Sequence, residues 1–481
     1  MSEPLSGLEA ADLISQPRLR RGDPSGRSGA NAQDGHWLVF AIVSMALLMS
    51  SLDQTIVATA LPVLQRDLGA SINWTSWTIT IYSLGQIIAM PLAGRLSDAY
   101  GRKRIFLLAT VLFTAASLCC GLASNVDELV ALRFPQALGG GAFMPSATGI
   151  VSDYFGKDRD RAVGLFASIV PIGAVIGPVV GGVFVTYWSW RAIFFVNVPI
   201  GVLLLALGWR YIPNTVRRTV GAVDFVGVGL LGFTLLCGMF GVASLGGGPG
   251  LDLWIRFAVA EALAVLSSVL FLRHVMHSRN PFIPGRLLYG KGFGVMNLIN
   301  FLYGGAALGF GALVPLYGQL RYGIPILAAG GLLVARALGM VSVAGLAVYT
   351  LRRTGYRSPM VVGFLISACG LIAMSWTPAG RPSVVWLSIS AAITGVGMGA
   401  SVPAANNATL QLAPDQVAAI AGLRGMFRQS GAITAVSVSA ALLARSGHQG
   451  TELGHVFLAF AVLLIMSTPL VLLVPQHRGR W

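Results

Sequence analysis

The sequence predicts an all-α integral membrane protein, and three observations carry that prediction. Charged residues make up 11% of the 481 residues and hydrophobic ones 55%, with a mean hydropathy of +0.74, whereas an ordinary soluble domain carries roughly 25% charge. Apolar runs recur along nearly the whole chain, each close to the ~20 residues that a membrane-spanning helix needs. The basic residues gather in alternate connections between those runs.

The fourteen runs lie near 37–61, 75–96, 104–124, 129–152, 162–186, 191–212, 223–247, 253–275, 291–316, 324–349, 357–377, 383–406, 416–443 and 454–475. Connections of about ten residues leave no room for a soluble catalytic or nucleotide-binding domain, and no GxxxxGK[ST] phosphate loop occurs. Residues 1–36 are rich in Ser, Gly, Pro, Asp and Arg without a signal-type apolar run, which predicts a disordered cytoplasmic tail. Cys119, Cys120, Cys237 and Cys369 fall inside apolar runs, which predicts small core residues rather than a disulfide framework.

The net charge of +15 suggests nucleic-acid affinity until the basic residues are located. With the N-terminus inside, 23 of the 33 fall in inner segments, 6 in outer loops and 4 within runs. That bias predicts both termini in the cytoplasm and a lipid bilayer, not a nucleic acid, as partner. A weak repeat is also present, since the loop after the second run (Gly101, Arg102, Lys103, Arg104) is echoed after the tenth (Arg352, Arg353, Gly355, Arg357). Transporters are often built from such duplicated bundles.

Specific motifs follow. Gly94, Asp98, Gly101, Arg102 and Lys103 stand in the stretch GRLSDAYGRKR. There Gly94 permits close helix contact, Asp98 offers an acceptor to a helix N-terminus or a basic partner, and Gly101 permits a tight turn. Gly173, Gly177, Pro178, Gly181 and Gly182 form GxxxGPxxGG in the fifth run, a spacing that brings another helix close while proline removes one backbone hydrogen bond. Leu52 to Pro62 read LDQTIVATALP, and Trp190, Arg191, Ile193, Phe194, Asn197, Pro199 and Gly201 read WRxIFxxNxPxG.

These stretches resemble the major facilitator superfamily, and within it the fourteen-span drug:proton antiporter branch. The sequence departs from that branch at Ala58, Thr59 and Ala137. The resemblance implies a 6+2+6 arrangement: a six-helix bundle over 37–212, an inserted pair with its loops over 213–290, a second bundle over 291–475, and a cytoplasmic end at 476–481. It also implies a gating role for the loop after the second span and, through the glycine motif, export rather than uptake.

Charges within a span cost about 2.5–3.5 kcal/mol or more near the bilayer centre. Asp53 and Arg133 both fall in the outer half, which predicts a proton-coupling pair or a static ion pair. Glu261 in the eighth run and Arg336 in the tenth are candidate substrate or charge sites. Asp224 reads as a helix-start residue, while Arg424 and Arg428 read as an inner gate or as snorkelling side chains. Gln86, Asn297, Asn300, Asn406 and Asn407, with Trp77, Tyr82 and Tyr303, are candidate cavity liners.

The expected function is proton-coupled export of hydrophobic or amphipathic drugs or antibiotics by a monomeric, non-enzymatic carrier. It needs the proton gradient and neither metal nor cofactor. Exporters of a native metabolite, lipid or siderophore, and a membrane sensor, are the alternatives. The bias of 30 Arg to 3 Lys suggests a GC-rich bacterium, such as an antibiotic-producing actinobacterium.

Overall fold

A computed structural model describes residues 29–70, 72–214, 224–244, 251–278, 280–290, 292–376, 383–413, 416–443 and 446–474. The first half contains α1 (Gly29–Asp67), α2 (Ile72–Tyr100), α3 (Arg102–Leu122), α4 (Val126–Phe155), α5 (Arg159–Ala167), α6 (Ile169–Tyr187), α7 (Ala192–Phe195) and α8 (Asn197–Tyr211). A pair follows, α9 (Phe225–Ser244) and α10 (Leu251–His277). After the short α11 (Gly285–Tyr289), the second half runs through α12 (Phe293–Tyr303), a π-helical segment (Gly304–Gly309), α13 (Phe310–Tyr322), α14 (Ile326–Thr354), α15 (Arg357–Ser375), α16 (Ser383–Leu410), α17 (Val417–Leu443) and α18 (Gln449–Val471). The described residues contain no strand.

Within the described residues, every apolar run overlaps one helix or consecutive helices. By length and apolarity nine helices among the described residues are able to cross a membrane, and ten if the pair Phe293–Gly309 and Leu313–Tyr322, bent by 41° just after the π segment, is one span. Some runs fall short because enclosed helices need small residues more than apolar ones. In α4, a Cβ on Gly139 would meet Phe113 of α3, on Gly140 would meet Tyr82 and Ser50, and on Gly141 would meet Gln86 and Ala89. Three consecutive glycines thus admit α1, α2 and α3 against one helix. By contrast, α10 turns Trp254, Val265 and Leu266 outward, the apolar face that a lipid-facing helix presents. The chain is a multi-pass membrane protein.

One boundary and two cysteines differ from the sequence reading. Helix α1 begins at Gly29, inside the stretch assigned to the tail, because extending a nucleated helix costs little per residue; residues 1–28 lie outside the described residues. Of the cysteines, Cys120 and Cys237 are buried, while Cys119 and Cys369 lie on outward faces.

The two halves meet through α2 and α4 against α17, and through α5 against α14 and α16. The seam is tightest at the end carrying the basic loops, where Gly94 of α2 sits against the Ala418 and Ala419 backbone and Gly422 of α17 against the Met90 backbone. Helices α9 and α10 pack on each other, and α9 also touches α2 and α17. The pair therefore flanks the seam at its edge.

Candidate functional site

The two charges singled out by their cost in lipid are in contact. Arg133 donates from Nη1 to Asp53 Oδ2 at 2.6 Å, and neither side chain has any exposed surface. The same nitrogen donates to Gln136 Oε1 at 2.7 Å, and Arg133 Nε donates to the Thr78 carbonyl at 3.2 Å. The other carboxylate oxygen, Asp53 Oδ1, accepts from Gln136 Nε2 at 2.9 Å and from Asn197 Nδ2 at 3.1 Å. Ser117 Oγ accepts from the same two amides and donates to the Phe194 carbonyl at 3.0 Å. The guanidinium lies 3.9 Å from the Tyr82 ring centroid, within cation–π range.

Helices α1, α2, α3, α4 and α8 all contribute, so the cage forms only once the first half is assembled. Gln136, Asn197 and Ser117 were not among the expected site residues. Two of them had a sequence signal, since Gln136 stands three residues after Arg133 and Asn197 belongs to WRxIFxxNxPxG. Ser117 had none.

The glycine motif sets the depth of this cage from outside. A Cβ on Gly173 would fall 2.5 Å from Ser51 Oγ, and one on Gly177 would clash with the Thr55 hydroxyl. Helix α6 thus rides directly on α1, one contact on each side of Asp53, and Ser51 Oγ donates to the Val170 carbonyl at 2.7 Å. Gly181 is buried, and Pro178 lies inside α6. Gly182 departs from the expected close packing: nothing stands within 4 Å of its Cβ position.

Between the halves lies a cavity of about 110 Å³. The first half contributes Ser50, Gln54, Gln86, Met90 and Met144, and the second contributes Arg336, Met340, Met398, Arg428 and Gln429. A short polar path links it to the cage. Gln86 Nε2 donates to Ser50 Oγ at 3.3 Å, Ser50 Oγ lies 3.5 Å from Tyr82 Oη, and the Tyr82 ring supports Arg133.

The motif around the α2–α3 turn ties five helices at one end, α2, α3, α4, α8 and α17. Asp98 Oδ2 accepts from the Ala419 amide at 3.1 Å, in the first turn of α17, where the helix dipole favours a carboxylate. Its other oxygen lies 3.5 Å from Arg102, which also reaches Asp153 of α4 at 2.5 Å. Lys103 Nζ donates to the Trp209 carbonyl of α8 at 2.7 Å. Gly101 has φ +100°, a conformation that side-chain-bearing residues rarely adopt, so it turns the chain between α2 and α3.

The remaining candidates divide. Arg336 and Gln86 line the central cavity; Asn300, Asn406 and Tyr303 line a small neighbouring pocket with Arg428. Asn297 does not line either, because its amide is spent on the Leu287 and Leu288 carbonyls of α11 at 2.8 and 3.0 Å. Trp77 joins Trp74 and Phe240 in an aromatic cluster. Glu261 lines a separate cavity of about 290 Å³ between the α9–α10 pair and the α2–α17 seam.

Arg424 is 1% exposed and does not snorkel, since α17 is enclosed by α2, α4 and α12 there. Asp224 accepts from the Gly227 amide at 2.9 Å and pairs with His274 at 2.8 Å, as a helix-start residue does. Burial alone would raise its carboxyl, but the Gly227, His274 and Phe282 hydrogen bonds hold it below the ordinary carboxylate range. The described residues contain no cluster of three His, Cys, Asp or Glu able to hold a metal.

The sequence model of the Major Facilitator Superfamily matches residues 43–436 and, in a second match, 296–479. The chain is 28% identical over 427 residues to the multidrug transporter protein MdtP of Bacillus subtilis, covering 87% of this chain and 78% of that one. It is 27% identical over 388 residues to the tetracenomycin C resistance and export protein of Streptomyces glaucescens, covering 80% and 72%. Among solved structures it matches the proton:xylose symporter XylE with a TM-score of 0.65 at 15% identity, covering 93% and 98%.

Proposed function

The chain belongs to the Major Facilitator Superfamily, and from that premise we propose that it exports hydrophobic or amphipathic small molecules, drugs or antibiotics among them, across the cytoplasmic membrane in exchange for protons. The observation that carries this reading is the buried Asp53–Arg133 pair, joined by Ser50 and Tyr82 to the cavity between the halves. A proton arriving on Asp53 cancels the charge that holds Arg133, and the guanidinium then needs other acceptors. Because the pair joins α1 to α4, its making and breaking biases how these helices stand against each other. Substrate in the cavity senses the same change through Gln86 and Ser50.

The basic end, which we take as cytoplasmic, is sealed by Gly94, Asp98 and the start of α17. The arrangement corresponds to a carrier closed toward the cytoplasm, and opening it requires Asp98 to release the Ala419 amide. The two bacterial relatives, a multidrug transporter and a tetracenomycin C resistance and export protein, favour export of drugs. The test is transport in proteoliposomes under an imposed pH gradient, over a panel of lipophilic drugs and antibiotics. Export that follows the gradient and is lost in Asp53→Asn supports the reading; no gradient-dependent movement of any compound sinks it.

A further inference from the structure

Three arginines in the second half carry charge that no carboxylate among the described residues offsets, although Arg428 lies 5.7 Å from the Tyr303 ring centroid. Arg336 is 6% exposed and Arg424 1% exposed, and neither they nor Arg428 have a carboxylate within ion-pair distance among the described residues. Arg336 donates from Nη1 to the Ala307 carbonyl at 3.3 Å, in the π-helical segment. Wider π winding displaces carbonyls from the regular ladder and leaves them open to such donors. Arg428 Nε, and Nε and Nη1 of Arg424 one turn earlier, have no hydrogen-bond partner among the described residues. A lone guanidinium within the membrane costs about 2.5–3.5 kcal/mol or more, and is retained where it faces an anion or a functional cavity.

Arg336 and Arg428 do face a cavity, the one between the halves, and no carboxylate among the described residues lines it. Asp53 does not supply the missing charge: it is committed to Arg133 within its cage, and the next residue, Gln54, is the one that lines the cavity. The rest of the wall suits an apolar body. Met90, Met144, Met340 and Met398 converge on it, and unbranched, polarisable thioethers mould to aromatic and aliphatic surfaces alike.

Resting on the export reading above, we propose that the substrates of this cavity are amphipathic organic anions: an apolar or aromatic body bearing a carboxylate, phenolate or similar acidic group, which lies between Arg336 and Arg428. Arginine suits this recognition because its planar fork donates two hydrogen bonds to such an acid. The class has an energetic consequence. Moving one monoanion out while one proton moves in carries two positive charge equivalents inward, so the membrane potential drives export even without a pH difference. A monovalent cation exchanged for one proton moves no net charge.

Two xanthene dyes of opposite charge, fluorescein and a rhodamine ester, separate the outcomes. In the purified full-length chain, fluorescence anisotropy is expected to show saturable fluorescein binding. Arg336→Gln and Arg428→Gln are each expected to weaken it by about tenfold or more, and Arg336→Lys, which keeps the positive charge and reports on folding, to weaken it less. Preference for the rhodamine ester, or fluorescein binding indifferent to both glutamine variants, overturns the proposal. In proteoliposomes, gradient-driven movement of the rhodamine ester with fluorescein ignored overturns the anion assignment and leaves export standing. Charge-selective, arginine-dependent fluorescein binding without movement under a pH gradient or an imposed potential supports the anion site and sinks the export reading.

Discussion

Arg133 Nη1 stands 2.6 Å from Asp53 Oδ2, and the two side chains, 80 positions apart in sequence, have no exposed surface between them. Removing one partner strands the other in a medium that does not solvate it, which costs about 3–5 kcal/mol for a buried pair. Asp53→Asn keeps the size of the side chain and an acceptor oxygen while removing the site that a proton would occupy. Gradient-driven export by this variant is expected to fall about a hundredfold, to the passive leak, while dye binding without a gradient persists. Undiminished export would remove Asp53 from coupling.

Replacing Arg133 by Lys keeps the charge but not the fork that spans Asp53, Gln136 and the Thr78 carbonyl. The variant is expected to lose about 1–3 kcal/mol of stability from the contacts it cannot remake, read as a lower melting temperature in detergent. A melting temperature equal to wild type would show that the positive charge alone suffices.

Two glycines of the motif in α6 differ in a measurable way. Gly177→Ala places a methyl group against the Thr55 hydroxyl, whereas Gly182→Ala fills open space. Overpacking costs about 1–3 kcal/mol, so Gly177→Ala is expected to melt several degrees lower and Gly182→Ala to match wild type. Equal melting temperatures would show that α6 does not bear on α1.

Across the seam, Asp98 accepts the Ala419 amide in the first turn of α17. A lost N-terminal cap costs about 1 kcal/mol, roughly a fivefold shift in an equilibrium that depends on it. Asp98→Ala is therefore expected to raise alkylation of a cysteine substituted for Met90, which is buried at this seam, by about that factor. No change in labelling would mean that other contacts hold this end shut.

Asp224 offers a pH test away from the cavity. Its hydrogen bonds hold the carboxyl below the ordinary range, so its folded pKa lies under the unfolded value of about 4. The stabilisation is then complete above the unfolded value and is lost as pH falls through the folded one. Asp224→Asn is expected to melt below wild type at pH 7, with the difference shrinking below about pH 4. A constant difference down to pH 3 would exclude this linkage.

The helices were legible because lipid imposes a condition on each segment separately: about 20 residues without charge. For the same reason Asp53, Arg133 and Arg336 stood out as expensive, and the motifs marked Gly94, Asp98 and Gly177. Asn297 was misread because polarity in a span does not reveal whether a nearby loop carbonyl consumes it. Of the two readings of Arg424, snorkelling failed because position along a helix axis says nothing about azimuth; its side chain lies in the enclosed interior. Ser117 was invisible, since a serine in an apolar helix costs little wherever it points.

The sequence by itself determined a membrane-embedded all-α protein, the order of its apolar helices, and which charges had to be accounted for; it also predicted an orientation through its basic loops. Tertiary structure alone decided that Asp53 is spent on Arg133, that Gln136 and Asn197 complete the cage, and that Arg336 and Arg428 face one cavity that no described carboxylate lines. The physical reason is one of range. Transfer into lipid is a sum over neighbouring residues and can be read locally, whereas an ion pair or a cavity wall depends on the packing and rotation of helices that are far apart in the chain.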